Sequence, residues 1–568
     1  MKEDLELVPY IWPAVLYKIA EYLKRKFGES VTIKSSLGEI VGVKMHSSEG
    51  FDYINFLGVP YAKPPIGSLR FKDPEPLDAW TQPFRACSES TASQKDAVTR
   101  RFMGTEDCLH MNIYTKDLSP KVLRPVMVFL HGGAFIFGSN SKDAYNPEYL
   151  LRKDVVVIVV NYRLGIFGFL SVDDPTYGIP GNAGLKDQVM ALKFIKENCE
   201  RFGGDPNNIT LFGESAGGCS VHYHMISDIS KGLFHKAILM SGTALCPWSI
   251  GPLENVPERV ARLLGWNGEG GIHRAMMELQ KASVGSLIKA QNALVGKEER
   301  KKYIFTPFGP TIEPYRSAQC FIDKHPVLLC MNPWSRKIPL LIGGCSSEGL
   351  LIYKVIKKKP HALTIYSKNA EEVVPFQILP DRSNERCKRF GREIKKYYFG
   401  LTEPSMATVG AYMAMMGDKE FWHGVHRTLL TRSSFKDTGA TYLYRFDIDL
   451  KQTNYSKIVF AGKNLKGLEG ACHGDDCFYL FKSAVSAKMS PTSKEFVAMD
   501  RMVTIWTSFA ANGRPSVNSI KHNDVWEPIS PQKPFKCLNI SDELKFIDLP
   551  ESERMAIWDA IYENHNFN

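Results

Sequence analysis

No run of this 568-residue chain is long and apolar enough to cross a bilayer. The longest apolar stretches, such as residues 155–160, fall far short of the roughly 20 residues a spanning helix needs. A secretory leader is not expected either: Met1-Lys2-Glu3-Asp4 leads into no apolar core, and Glu6, Pro9 and Pro13 interrupt the apolar residues beyond it. Internal repeats and low-complexity tracts are absent. Charge of one sign does not dominate. Lys and Arg number 71 against 61 Asp and Glu, and the resulting +10 is accompanied by no Arg–aromatic module, so it reads as a solvated basic surface rather than a nucleic-acid interface. With no leader, the 12 cysteines do not read as a disulfide framework. For the same reason the sequons at Asn208, Asn454 and Asn539 read as chance matches. The expectation is a cytoplasmic protein that uses no metal and no cofactor.

What is present is ordinary globular material, 44% hydrophobic and 23% charged. Length alone would allow three or four domains. The segments that carry chemistry are spread from residue 131 to 473, however, so one fold must gather them. This predicts a single large α/β domain over residues 31–568, with polar helical insertions at 267–302 and 354–398 capping a gorge. Residues 1–30 form a separate N-terminal element. Within it, Val15, Leu16, Ile19, Tyr22, Leu23 and Phe27 share one helical face, opposite Lys18, Glu21, Lys24 and Arg25. Packing on the body and peripheral association with a membrane or lipid-droplet surface, with Trp12 at the interface, stand level as readings.

The most informative segment is Gly213-Glu214-Ser215-Ala216-Gly217, which follows the β-branched and apolar Ile209-Thr210-Leu211-Phe212. A strand that turns through Gly-x-Ser-x-Gly into a helix lifts a serine above the sheet and aims the N–H of Ala216 at the oxygen it attacks. Alone the pentapeptide is weak, because it occurs in many unrelated chains. A second segment strengthens it: His131-Gly132-Gly133-Ala134-Phe135 follows the continuous apolar run 125–130, a buried parallel strand, and such a loop supplies further oxyanion donors. Acyl transfer also needs a base and an acid that orients it, in the chain order Ser, Asp or Glu, His. Glu348 lies on a loop after the strand-like 338–344, and His473 on a loop beyond the strand 441–447. His423, His426 and His522 are competing bases, and spacing alone does not choose among them.

The longer motifs carry a family resemblance. Residues 202–218, Phe-Gly-Gly-Asp-Pro-Asn-Asn-Ile-Thr-Leu-Phe-Gly-Glu-Ser-Ala-Gly-Gly, resemble the serine signature of the type-B carboxylesterase and cholinesterase family. Glu106-Asp107-Cys108-Leu109-His110-Met111-Asn112 resembles its second signature. The resemblance runs from about Thr32 to the C-terminus, and within the family the chain looks most similar to insect α-esterases, carboxylesterases associated with insecticide resistance. It implies the α/β-hydrolase fold, a large and mostly parallel sheet flanked by helices with caps around a gorge. It implies a triad of Ser215, Glu348 and His473, with oxyanion donors at Gly133, Ala134 and Ala216. Ala134 departs from the third glycine of most relatives. Cys87 and Cys108 match the family's first loop-closing pair, expected here as thiols that need not be bridged. Arg70 with Glu106, and Arg163 with Asp187, match structural salt bridges.

Among the family's activities, choline ester hydrolysis is disfavoured, since residues 88–107 contain no tryptophan and a single aromatic, Phe102. Glu214, where juvenile-hormone esterases usually carry Gln, points instead to a general carboxylesterase. It would steady the imidazolium or a water, with Ser241 supporting the triad. The substrates are then small hydrophobic, uncharged esters, with organophosphates as covalent inhibitors. Trp248 resembles an acyl-pocket residue, and Phe305, Phe308, Phe421 and Trp422 are weaker candidates for the same pocket. The competing readings are a catalytically silent interaction protein and an esterase dedicated to one endogenous lipid or hormone ester.

Overall fold

Two short segments, Arg124–Leu130 (RPVMVFL) and Val156–Val160 (VVIVV), hold the centre of the fold because they are apolar on both faces. In this computed structural model Val126, Val128, Leu130, Val156, Ile158 and Val160 enter one core, while Met127, Phe129, Val157 and Val159 enter another on the opposite side. That split is the period-two alternation of strands buried on both faces. The structure describes residues 28–563 and 565, apart from 98, 252, 297, 298, 300–305, 451, 452, 463, 464, 466 and 518–524. The predicted N-terminal helix, Trp12, Phe305 and His522 therefore lie outside the described residues.

The main sheet runs β1 (Ser30–Ser35), β2 (Gly38–His46), β3 (Asp52–Pro60), β4 (His110–Thr115), β5 (Arg124–Leu130), β6 (Val156–Val160), β7 (Gly204–Glu214), β8 (Lys236–Met240), β9 (Leu340–Cys345), β10 (Thr441–Phe446), β11 (Lys536–Ile540) and β12 (Leu544–Asp548). Their spatial order is β1-β2-β3-β4-β6-β5-β7-β8-β9-β10-β11-β12. The strands from β6 through β11 pair in parallel, and both ends of the sheet are antiparallel. This is the expected α/β-hydrolase sheet. Helices α1 (Ala183–Asn198) and α2 (Ala216–Ile226) place Leu192, Ile195, Val221 and Met225 on one face. The other face is covered largely by a long helix, Lys494–Asn512, through Met499, Met502, Val503, Trp506 and Phe509.

The insertions fall between parallel strands. The β8–β9 connection carries α3 (Gly271–Lys281) and α4 (Val284–Leu294). The β9–β10 connection carries α5 (Tyr353–Lys358), α6 (His361–Lys368), α7 (Glu385–Phe399), α8 (Val409–Gly417), a π-helical turn at Asp418–Trp422, and α9 (His423–Ser433). The described residues of both polar segments read as helical from the sequence are largely helical, with a non-helical stretch at 374–384. The chain closes with α10 (Lys494–Asn512) and α11 (Ala556–Tyr562). Among the described residues no helix is long and apolar enough to cross a membrane.

The two ion pairs implied by the resemblance are formed. Arg70 clamps Glu106 with two 2.6 Å bonds, and Arg163 clamps Asp187 with bonds of 2.8 and 2.6 Å. All 12 cysteines are free thiols, Cys87 and Cys108 included, so the loop they flank is held by hydrogen bonds and not by a bridge.

Candidate active site

The site is assembled at the C-terminal ends of β7, β8 and β9, where open α/β sheets gather their functional groups. The chain passes from β7 to α2 through Ser215 at φ 58° and ψ −123°, a conformation that disfavours any side chain and costs on the order of 1–3 kcal/mol. The ladder on either side holds it there. Ser215 N–H donates to the Met240 carbonyl at 2.8 Å, and Ser241 N–H donates to the Gly343 carbonyl at 2.9 Å. The flanking glycines are steric necessities, because a Cβ on Gly217 would overlap the Leu130 carbonyl and one on Gly213 would lie 2.5 Å from Gly217.

From this serine a chain of buried hydrogen bonds runs inward. Ser215 Oγ lies 2.9 Å from His473 Nε2, and His473 Nδ1 lies 2.6 Å from Glu348 Oε2. The other Glu348 oxygen accepts from Ser241 Oγ at 2.5 Å and from the Cys345 N–H at 2.7 Å. Glu348 is therefore a fully buried carboxylate with three donors around it, which fixes its orientation and keeps Nδ1 protonated, so that the Nε2 lone pair faces the serine. Of the competing histidines, His423 and His426 turn away and place their Nε2 atoms 2.9 Å from the two oxygens of Asp559.

Opposite the serine, the loop after β5 turns its backbone inward. Gly133, Ala134 and Phe135 all have positive φ, at 115°, 53° and 60°. The Gly133 carbonyl accepts from Ile136 and Phe137, and the Phe135 carbonyl from Gly165, which locks the turn. Among the described residues nothing accepts from the N–H groups of Gly133, Ala134 or Ala216. Three fixed, unused donors beside a serine are an anion receptor for a developing oxyanion. Ala134 holds its left-handed conformation without glycine's freedom.

A second carboxylate faces the imidazole. Glu214 Oε1 is 3.1 Å from His473 Nε2, is buried, and has no hydrogen-bond partner. While Nε2 accepts from Ser215 it has no proton to give, so Glu214 can be satisfied only when the imidazole is protonated. Burial pushes the Glu214 carboxyl up to about 7, against the opposing pull of His473. Burial acts against the His473 imidazolium, but Glu214 and Glu348 outweigh it and raise its pKa to about 9.

The loop bearing His473 is anchored by residues that sequence reasoning passed over. Asp475 accepts from Cys472 N–H at 2.8 Å, from Lys457 N–H at 3.2 Å and from the Asn454 amide at 3.0 Å, while Asp476 accepts from Tyr444 OH at 3.0 Å. The adjacent acidic pair after His473-Gly474 was the only signal in the sequence, and it looks like an exposed turn. Both aspartates are buried.

The aromatic candidates separate. Phe421 lies over the His473 ring with centroids 4.3 Å apart, Trp248 packs on Phe421 at 5.9 Å, and Phe135 on Trp248 at 6.5 Å. Trp248 is fixed by a 2.8 Å bond from its indole to the Glu420 carbonyl. Trp422 points into the core and donates to the Cys345 carbonyl, behind the loop that carries Glu348. Phe308 is buried beside Phe169 on the wall of a neighbouring cleft of about 530 Å³.

Comparison with known proteins agrees with this geometry. The sequence model of the carboxylesterase family matches residues 29–558. Esterase B1 of Culex pipiens is 37% identical over 540 residues, spanning 94% of this chain and 99% of its own. Esterase FE4 of Myzus persicae is 33% identical, spanning 92% of this chain and 91% of its own, and the juvenile hormone esterase of Tribolium castaneum is 32% identical, spanning 88% and 86%. The crystal structure of juvenile hormone esterase from Manduca sexta, solved with OTFP covalently attached, superposes with a TM-score of 0.82 at 28% identity, covering 94% of this chain and all of that one. Buried relay, unused backbone donors, sheet order and sequence point the same way: the chain belongs to the carboxylesterase family and is a carboxylic-ester hydrolase.

Proposed function

We propose that the protein hydrolyses hydrophobic, uncharged carboxylic esters through an acyl-enzyme on Ser215. The observation that carries this reading is the unbroken Ser215–His473–Glu348 chain facing three unused N–H donors. His473 Nε2 takes the hydroxyl proton as Oγ bonds to the ester carbonyl carbon. The carbonyl oxygen becomes an oxyanion held by Gly133, Ala134 and Ala216, and the newly protonated imidazole is met by Glu348 at Nδ1 and by Glu214 at Nε2. Collapse breaks the bond to the alkoxide, which leaves with the proton from Nε2. Water then repeats the sequence on the acyl carbon, releases the acid and restores Ser215. Each oxyanion donor is worth about 2.7–4 kcal/mol in such a site. Trp248, Phe421 and Phe135 give the entering group an apolar wall with no charged side chain among them. Esters graded in acyl and alcohol length test the reading. Rates should rise with apolar length, and hydrolysis that persists unchanged in Ser215→Ala, or that prefers acetylthiocholine, would overturn it.

The finer role proposed is detoxification, including capture of organophosphates. A phosphoester offers a tetrahedral phosphorus whose oxygen fits the same three donors, so Oγ can displace the leaving group. Release requires water to attack opposite Ser215, whereas His473 lies on the serine's side. The adduct should form quickly, as Oγ displaces nitrophenolate from a dialkyl nitrophenyl phosphate, and persist for hours, which intact-mass spectrometry measures directly. An adduct absent from Ser215, or lost within seconds, would sink this role. Dedication to one endogenous lipid or hormone ester is favoured by the juvenile hormone esterases among the relatives, and opposed by Glu214 before the serine.

A further inference from the structure

Residues 353–408 carry 12 Lys and Arg against 6 Asp and Glu, which is +6 of the chain's +10 in a tenth of its length. The sequence makes this segment look like an ordinary solvated face, but the structure adds two features. First, the positive charges are not neutralised locally. Lys354, Lys357, Lys358, Lys359, Lys368 and Lys396 are exposed, and none has an acidic partner within 4 Å among the described residues, whereas Glu393 and Glu403 are taken up by Arg389 and Lys395. Second, large apolar side chains stand among them. Val355 is 61% exposed, Ile365 42% and Tyr397 49%, while Leu401 is fully exposed just beyond Gly400, which caps α7.

These residues belong to one surface. Only Lys359 and Pro360 separate α5 from α6. Lys395 donates to the Ser367 carbonyl at 3.0 Å and pairs with Glu403, and Tyr366 packs on Phe399, which ties α6 to the end of α7 and to the turn bearing Leu401. The surface is also tied to the site, because the turn that starts at Glu348 runs directly into α5. Ile356 of α5, Leu363 of α6 and Ile394 of α7 point the other way, into the core.

We infer that the face formed by α5, α6 and the C-terminal end of α7 docks on anionic lipid membranes, with its lysines on the headgroups and Val355, Ile365 and Leu401 in the interface. A nucleic acid or an acidic protein would satisfy the charge but would leave aliphatic side chains without a partner, whereas a bilayer surface takes both.

The test is co-sedimentation of the full chain with vesicles of phosphatidylcholine, with and without about one third phosphatidylserine. Wild type should bind the anionic vesicles, and binding should fall when salt is raised to about 0.5 M. The combined variant Lys354→Glu, Lys357→Glu, Lys358→Glu, Lys396→Glu should bind roughly tenfold more weakly or worse. Reversing the same number of charges elsewhere, at Lys488, Lys494, Lys533 and Lys545, should have a much smaller effect. Val355→Ser with Leu401→Ser should weaken binding at unchanged net charge. Hydrolysis of a water-soluble ester by every variant reports that the fold is intact. Failure of wild type to bind, equal loss in the two charge-reversed sets, or full binding by the first set, which would place the contact elsewhere, each overturns the inference.

Discussion

Replacing Glu214 by Gln isolates the least obvious part of the site. Its Oε1 lies 3.1 Å from Nε2 and is left without a hydrogen bond while the imidazole is neutral. Its charge favours the protonated imidazole, so removing it must lower the His473 pKa from about 9. An opposite charge this close is worth roughly 1–3 pKa units. The neutral imidazole is the form that activates Ser215, and the acid limb of kcat/KM is set by its protonation. In Glu214→Gln that limb should therefore move to lower pH by roughly 1–3 units. The plateau should fall at the same time, because the imidazolium formed during attack loses one of its two anionic partners. Hydrogen bonds to charged groups contribute about 1.5–3 kcal/mol, or roughly 10–150-fold in rate. Glu214→Asp keeps the charge and should keep the position of the limb. The measurement is kcat/KM for a neutral nitrophenyl ester across the pH range, with stability followed at each pH. A limb that stays in place or moves to higher pH in Glu214→Gln would refute the assignment of this carboxylate.

Other expectations rest on single contacts. Ser215→Ala and His473→Ala should lose ester hydrolysis to background with unchanged thermal unfolding, while His423→Ala stays active and loses about 1–2 kcal/mol with its bond to Asp559; inactive His423→Ala beside active His473→Ala would move the base. Ala134→Gly removes a side chain held at φ 53° and should stabilise the fold by about 0.5–1 kcal/mol in a urea titration, and no gain would mean the turn is unstrained. Arg554→Met strands the buried Asp418 carboxylate, which otherwise accepts Arg554 bonds of 2.5 and 2.8 Å and a 2.6 Å bond from Tyr398. The cost should be about 3–5 kcal/mol, and because the turn at 418–422 carries Phe421 against His473, KM for bulky esters should change as well.

The nucleophile and its backbone were the most legible part of the chain. A serine between glycines after a strand is a local feature, and so is a Gly-Gly-Ala loop after a continuous apolar run, because both are dictated by steric limits within a few residues. The relay was less legible. Glu348 and His473 lie 125 residues apart, and in sequence His423 and His426 stand as runners-up to His473 that spacing alone does not dismiss. The resemblance chose between them, and the structure then gave His423 and His426 their own partner in Asp559. The pocket was the least legible, since bulky aromatics at similar spacing serve cores and walls alike. Adjacent Phe421 and Trp422 go to opposite destinations, one over His473 and the other beneath Glu348, because consecutive residues of a helical turn point about 100° apart.

Burial decided the rest. Asp475 and Asp476, to which the sequence assigns no role, are enclosed anchors of the His473 loop, and Glu214 becomes unusual only because the fold removes water from around it. The basic segment 353–408 was visible as composition, but only the packing of Ile356, Leu363 and Ile394 inward shows which apolar residues remain outside among the lysines. Local sequence set the strands, the elbow and the donors, because those depend on chain sterics and on the period of apolar residues. Which charges meet, which are dry and which face stays exposed depend on contacts between segments more than a hundred residues apart, and these exist only once the sheet has brought them together.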